Sequence, residues 1–174
     1  MKKYIFIDRD GVINFDKGYL HDVNDLSLYL DAISFLKNAL NKNYKICIVT
    51  NQSGIGRGFF TEETFYLFMD KFLKILSNHN LKEINIRYCP HTPEENCKCR
   101  KPKAFLINDI LVNDQVDLKN SWMIGDKLSD IEFGFNNNIK NLCLINRETK
   151  SISYQNNQIN YLKKDNLFDL IKCI

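Results

Sequence analysis

The sequence predicts a three-layer α/β fold, with a doubly wound parallel sheet carrying helices on both faces. Three observations carry this prediction. Short apolar, β-rich runs recur at 4–7, 45–50, 84–88, 121–125 and 141–145, as expected for strands covered on both faces. Segments with 3.6-residue apolar periodicity alternate with those runs, the pattern of βα units. Residues able to do chemistry (Asp8, Asp10, Thr50, Cys89 and Asp126) fall at the ends of the predicted strands. Open parallel sheets bind their ligands at that edge.

The first strand, 4–7, runs without charge into Asp8-Arg9-Asp10-Gly11-Val12. A helix is predicted over 28–43, with Ala32, Ile33, Leu36 and Leu40 on one face and Asp31 near its start. The second strand, 45–50, opens into a Gly-rich turn at 53–58. Thr61 then caps a helix to about 78, with Glu62 and Glu63 in its first turn. Phe65, Phe68, Phe72 and Leu76 lie at core spacing on that helix, which makes them packing residues rather than a ligand platform. The third strand, 84–88, alternates in polarity, and a polar, Pro-containing loop occupies 89–103. Helices follow at 104–113 and 129–136, around the strand at 121–125. The segment 146–160 is polar and reads as loop, and 166–172 reads as a closing helix capped by Asn166.

Composition narrows the function classes. A chain of 174 residues with 44% hydrophobic and 26% charged residues is expected to form one soluble domain, 1–174, and to act as a monomer. The net charge of +3 is spread along the chain, which suits anionic small molecules. No basic stripe with interleaved aromatics argues for nucleic acid. No stretch approaches the ~18 apolar residues of a membrane span, and Asp8 and Asp10 interrupt the only N-terminal apolar run. A cytoplasmic location is therefore expected.

Side chains at i and i+2 of an extended segment share a face, so Asp8 and Asp10 are expected to crowd their charges and to call for a cation or a shared proton. An EF-hand loop begun at Asp8 would need glycine sixth and glutamate twelfth, where this chain has Ile13 and Tyr19. Asp126 lies in Gly125-Asp126-Lys127 at another strand end, four residues before Asp130. Its plainer reading is a helix N-cap. Joined to Asp8 and Asp10, it makes a hard-oxygen set suited to Mg2+. Thr50-Asn51-Gln52-Ser53 offers a hydroxyl and turn N–H groups to a phosphoryl oxygen, and Lys101 offers a point charge.

The loop at 89–103 holds Cys89, His91, Cys97 and Cys99 within eleven residues. Three thiolates and an imidazole fit a structural Zn2+ with no open position. Such a metal would fix Arg100 and Lys101, which follow the last ligand directly. Cys47, Cys143 and Cys173 read as inert thiols.

Together these stretches resemble the haloacid dehalogenase (HAD) superfamily of aspartate-nucleophile phosphatases. The signatures occur in order as Asp8-Arg9-Asp10-Gly11-Val12, Thr50, Lys101, and Gly125-Asp126 with Asp130. The run 49–58 and the Cys-Pro-His…Cys-x-Cys-Arg-Lys-Pro loop are similar to the small capless branch of heptose bisphosphate and histidinol-phosphate phosphatases. The resemblance spans about 4–145 and implies a Rossmann-like core with no large cap domain. It also implies Asp8 as nucleophile, Asp10 as proton carrier, and Mg2+ on Asp8, the Asp10 carbonyl and Asp126. Thr50 and Lys101 would steady the transferring group. Asp16, Lys17, Gly18, Tyr19, Asn51, Gln52, Ser53, Arg100 and Lys127 would contact a small phosphorylated sugar. Asp130 would orient Lys127 or Lys101, and Arg9 is expected to matter little to the chemistry. Ser53-Gly54-Ile55-Gly56-Arg57-Gly58 favours a heptose bisphosphate as substrate, whereas the short gap between His91 and Cys97 resembles the histidinol-phosphate enzymes. A zinc-stapled binding module without catalysis predicts damaged signatures, and all of them are intact.

Overall fold

The computed structural model describes residues 1–147 and 159–174. Among them, six parallel strands form one sheet: β1 (Lys3–Ile7), β2 (Tyr44–Asn51), β3 (Asn85–Cys89), β4 (Trp122–Gly125), β5 (Asn141–Ile145) and β6 (Leu162–Lys164). Their order is β3-β2-β1-β4-β5-β6. The chain winds outward from β1 in both directions, so the switch point lies between β1 and β4. In register, Ile7 of β1 pairs with Ile48 of β2 and Ile124 of β4. This aligns the carboxyl ends of the three central strands along one edge.

The helices are α1 (Leu30–Asn41), α2 (Ser53–Gly56), α3 (Glu62–Asn78), α4 (Asn108–Asn113) and α5 (Leu128–Asn136). One core cluster joins Ile5 and Ile7 to Phe35 and Leu36 of α1 and to Phe65 and Phe72 of α3. The opposite cluster joins Tyr4 and Phe6 to Ile110 of α4 and Ile131 and Phe133 of α5. Successive residues of β1 therefore serve opposite cores, and an apolar run without polar alternation is the outcome. Thr61 caps α3 by accepting the Thr64 N–H at 3.1 Å.

Two expectations need correction, and one strand is added. The C-terminal stretch 166–172 is not a helix of several turns but a single 3-10 turn, Phe168–Leu170. Asn166 does accept the Asp169 N–H at 3.0 Å, but the turn is not propagated into an α-helix. The helix predicted over 104–113 divides into a 3-10 turn, Ala104–Ile107, and α4. Strand β6 was unforeseen, since three partly exposed residues carry no apolar signal. Of the segment read as polar loop, 148–158 lies outside the described residues. No insertion large enough to form a cap domain occurs among the described residues.

Candidate active site

The sheet itself aims the first carboxylate. Asp8 N–H donates to the Ile124 carbonyl at 2.9 Å, extending the β1–β4 ladder by one residue. The chain then turns sharply at Gly11, whose φ is +79°. A Cβ at Gly11 would lie 2.3 Å from Asp126 Oδ2. Glycine is needed there both for the left-handed backbone and for the approach to the neighbouring strand end.

Asp8, Asp126 and Asp130 bring carboxylate oxygens within 4.8 Å of one another. Burial raises the Asp126 carboxyl, and the nearby Asp8 charge raises it further, to about 8. Burial likewise raises Asp8, against the pull of Lys101, to about 6. Asp126 Oδ1 is buried with no hydrogen-bond partner among the described residues. A buried orphan oxygen within an acidic trio fits a hard divalent cation, which would complete the oxygen's contacts and restore both carboxylates to their charged forms.

The countercharge is Lys101, only 3% exposed. Its Nζ lies 2.6 Å from Asp130 and 3.1 Å from Asp8, and donates to the Val49 carbonyl at 2.7 Å. Burial works against the ammonium, but Asp130 and Asp8 outweigh it and raise its pKa. Asn51 clamps the Lys101 backbone, accepting its N–H at 3.0 Å and donating to its carbonyl at 3.2 Å. Asp130 also accepts the Lys127 N–H at 3.0 Å, at the start of α5. Asp126 is thus spared the capping role that its position suggests. Asp130 touches both lysines that it was expected to orient.

Asp10 departs from expectation. Its carboxylate stays outside the close trio of Asp8, Asp126 and Asp130, although its charge still helps to raise the Asp8 carboxyl. It accepts from Arg9 Nε at 3.2 Å, Arg9 Nη2 at 2.9 Å, Asn14 at 2.9 Å and Gln52 at 3.0 Å. The turn breaks the extended conformation on which the i, i+2 argument depended. Arg9 is fully buried, lies against the Phe68 ring and donates to the Leu20 carbonyl. The expectation that Arg9 matters little is therefore wrong in geometry, since it is the principal holder of Asp10. Burial acts to raise the Asp10 carboxyl, but Arg9, Asn14 and Gln52 outweigh it and lower its pKa. Gln52 also donates to Thr50 Oγ1 at 2.9 Å, linking the β2 end to Asp10.

The thiols and imidazole of the 89–103 loop converge. Sulfur separations are 3.1 Å for Cys89–Cys99, 3.5 Å for Cys89–Cys97 and 3.6 Å for Cys97–Cys99. His91 Nδ1 lies 3.5 Å from Cys89 and 3.3 Å from Cys99. A tetrahedral Zn2+ with ~2.3 Å Zn–S bonds sets sulfurs about 3.8 Å apart, so the cluster needs little adjustment to close on that ion. Arg100 is tied to the loop, donating its N–H to Cys97 at 3.3 Å and Nη1 to the His91 carbonyl at 3.2 Å. The β2 end is bound to the same loop by the Gln52 N–H, 2.7 Å from the Cys89 carbonyl.

These elements surround a cavity of about 340 Å³ lined by Asp8, Asp10, Thr50, Lys101 and, of the expected substrate contacts, Asp16, Gly18, Tyr19, Asn51, Gln52, Ser53, Arg100 and Lys127. Lys17 does not line it and instead reaches Asp25, 3.5 Å away. Lys127 bridges to Asp16 at 3.3 Å across the cavity wall. Tyr19 stands edge-on to Phe59, with ring centroids 4.6 Å apart. The sequence reading missed the parts played by Asn14, which donates to Asp10, and Arg147. Arg147 lies just beyond β5, where the strand-end rule that singled out Asp126 also applies.

An aspartate fixed by the sheet, a buried lysine and an acidic trio around them are the equipment of phosphoryl transfer. Comparison with known proteins agrees. Residues 7–155 match the family model described as polynucleotide kinase 3 phosphatase. D-glycero-alpha-D-manno-heptose-1,7-bisphosphate 7-phosphatase of Campylobacter jejuni is 41% identical over 148 residues, 85% of each chain. D-glycero-beta-D-manno-heptose-1,7-bisphosphate 7-phosphatase of Helicobacter pylori strain J99 is 38% identical over 175 residues, covering 98% of this chain and 97% of that one. In fold, the chain is similar to the crystal structure of D,D-heptose 1,7-bisphosphate phosphatase from B. bronchiseptica complexed with magnesium and phosphate. The TM-score is 0.81 at 24% identity, covering 98% of this chain and 97% of that one. The chain belongs to the capless branch of the HAD superfamily of phosphatases.

Proposed function

We propose that this protein is a Mg2+-dependent phosphatase that removes the C7 phosphate of D-glycero-D-manno-heptose 1,7-bisphosphate, in the supply of heptose precursors for surface polysaccharide. The observation that carries this reading is the buried Lys101 between Asp8 and Asp130, beside the unpartnered Asp126 oxygen. An array of that kind pairs a nucleophile with a fixed cation and a metal position. The substrate class rests on the heptose bisphosphate relatives and on a cavity that offers Arg100 and Lys127 to a second anionic group.

In this reading Asp8 attacks phosphorus, forming an aspartyl-phosphate as the bond to the sugar oxygen breaks. Asp10 delivers a proton to the departing oxygen and takes one from the water that attacks the intermediate. To do so its carboxyl group must exchange one of its four hydrogen bonds for the substrate oxygen. Thr50 and Lys101 hold the transferring group's oxygens, and Arg100 grips the distal phosphate. Asp8, the Asp10 carbonyl and Asp126 would hold Mg2+, which when bound neutralises charge on the phosphoryl group. Cys89, His91, Cys97 and Cys99 would hold a structural Zn2+ that keeps Arg100 and Lys101 in register. The whole of 1–174 acts as one domain.

The test is phosphate release with magnesium from both anomers of the heptose bisphosphate, histidinol phosphate and a DNA 3′-phosphate, the last because of the matched family description. Selective turnover of a heptose bisphosphate is expected. Preference for either of the other two overturns the substrate assignment. Asp8→Asn is expected to abolish turnover and the phosphoenzyme in a folded protein, and residual turnover above about one per cent refutes covalent catalysis.

A further inference from the structure

We infer that Arg147 is a positioning residue, a strut behind the nucleophile loop that sets the Asp10–Gly11 turn against Asp126. This inference rests on the roles proposed above for Asp10 and Asp126. Four of the five guanidinium N–H groups of Arg147 are engaged, two on the nucleophile loop and two on Asp31. Nε donates to the Gly11 carbonyl at 3.2 Å and Nη2 to the Val12 carbonyl at 2.8 Å. Nη1 and Nη2 also form a bidentate pair with Asp31 of α1, at 2.9 and 3.0 Å. The guanidinium lies over the Tyr29 ring, 3.6 Å from its centroid.

The strut is anchored from behind and active in front. Asp31 is 5% exposed and also accepts the Leu167 N–H at 2.7 Å, so the anchor is locked between α1 and the C-terminal segment. In front, the two gripped carbonyls belong to the residues that follow Asp10 directly. Gly11 is the residue whose α-carbon leaves no room for a Cβ against Asp126 Oδ2. A shift of the Gly11 peptide therefore moves the Asp10 backbone and opens its packing on Asp126 together. Arg147 does not line the substrate cavity but borders an adjoining one with Gly11, Asp126 and Lys127, so the strut predicts that its loss reaches the chemistry through the loop and changes kcat more than KM.

Arg147→Lys separates positioning from mere bracing. A lysine keeps the ion pair with Asp31 but, as a point charge, cannot also span two carbonyls. The expected result is a melting temperature near that of the parent, KM within about twofold, kcat reduced about tenfold or more, and Mg2+ affinity by calorimetry reduced about tenfold. Full rescue of kcat and Mg2+ affinity by lysine overturns the proposal, because the ion pair alone then suffices. Should Arg147→Lys fail to fold, the double variant Asp31→Asn/Arg147→Gln removes both buried charges together and leaves no orphan. The same losses are expected from it, and parent-like kcat and Mg2+ affinity overturn the strut. Should the parent protein fail to hydrolyse a heptose bisphosphate, the functional reading falls instead, and the Mg2+ calorimetry on these variants still decides the strut.

Discussion

Replacing Lys101 by methionine tests the electrostatic core of the site. The ammonium contacts two carboxylates, Asp130 at 2.6 Å and Asp8 at 3.1 Å, and all three residues are at most 5% exposed. Methionine preserves most of the volume, so the loss is one of charge. Removing one partner of a buried ion pair costs about 3–5 kcal/mol when the orphaned charge has no outlet. Here the outlet is protonation, which makes the cost depend on pH. An unfolded carboxylate titrates near 3.9, so keeping one buried carboxyl protonated costs about 1.5 kcal/mol at pH 5 and about 5.5 kcal/mol at pH 8. For a chain of this size each kcal/mol moves the melting temperature roughly 2–4 °C.

In magnesium-free buffer, circular dichroism should therefore show Lys101→Met melting roughly 3–6 °C below the parent at pH 5 and roughly 10–20 °C below it at pH 8. Turnover should fall at least about a hundredfold at both, because a cation facing the transferring phosphoryl group is lost. Adding Asp130→Asn should recover most of the stability at pH 8 without recovering turnover. Equal melting deficits at the two pH values, or a deficit under about 2 °C at pH 8, would mean that Lys101 does not neutralise a buried carboxylate and would refute the reasoning.

The remaining predictions follow from neighbouring groups. Asp126 and Asp8 stand raised to about 8 and about 6, so the metal-free fold binds more protons than the unfolded chain and should lose stability as pH rises from about 4 to about 8. Magnesium should abolish that slope and release roughly one proton on binding near pH 6.5 and close to none at pH 9, read by calorimetry in buffers of different ionisation enthalpy. Arg9→Met should lower kcat more than about tenfold while KM changes little, because it frees Asp10 without touching substrate; unchanged kcat in folded protein counts against the clamp. Stripping zinc, verified by metal analysis, should raise KM through Arg100 and leave the Asp8 phosphoenzyme detectable; unchanged KM counts against a zinc staple.

The parts of this site legible in the sequence are those whose position follows from strand ends. Asp8, Thr50, Cys89 and Asp126 each close a short apolar run, and a parallel sheet with β1 and β4 adjacent brings such positions to one edge whatever lies between them. The cysteine loop was legible for another reason, since three thiols and an imidazole within eleven residues can hardly avoid one another. What escaped was the direction of side chains once the backbone leaves the strand. The inference that Asp8 and Asp10 face the same way holds only in extended chain, and Gly11 at φ +79° belongs to a turn that ends that conformation. Asp10 therefore points to Arg9, Asn14 and Gln52, and the carboxylate whose charge raises Asp8 most is Asp130 on α5, with Asp10 behind it.

Arg9 shows why the error was natural. An arginine between two aspartates reads as solvated, because arginine is almost never fully buried without a partner. Its partner is the adjacent residue, and its cover is Phe68 and Met69 of α3, an element more than fifty residues away that periodicity assigns only to the core. Three of the four groups that touch Asp10 or its turn from outside the strand (Arg9, Gln52 and Arg147) act through hydrogen bonds set by tertiary packing rather than by spacing. The catalytic carboxylates are therefore written in the local sequence, whereas the network that holds one of them apart from the others is written across α1, α3 and the end of β5.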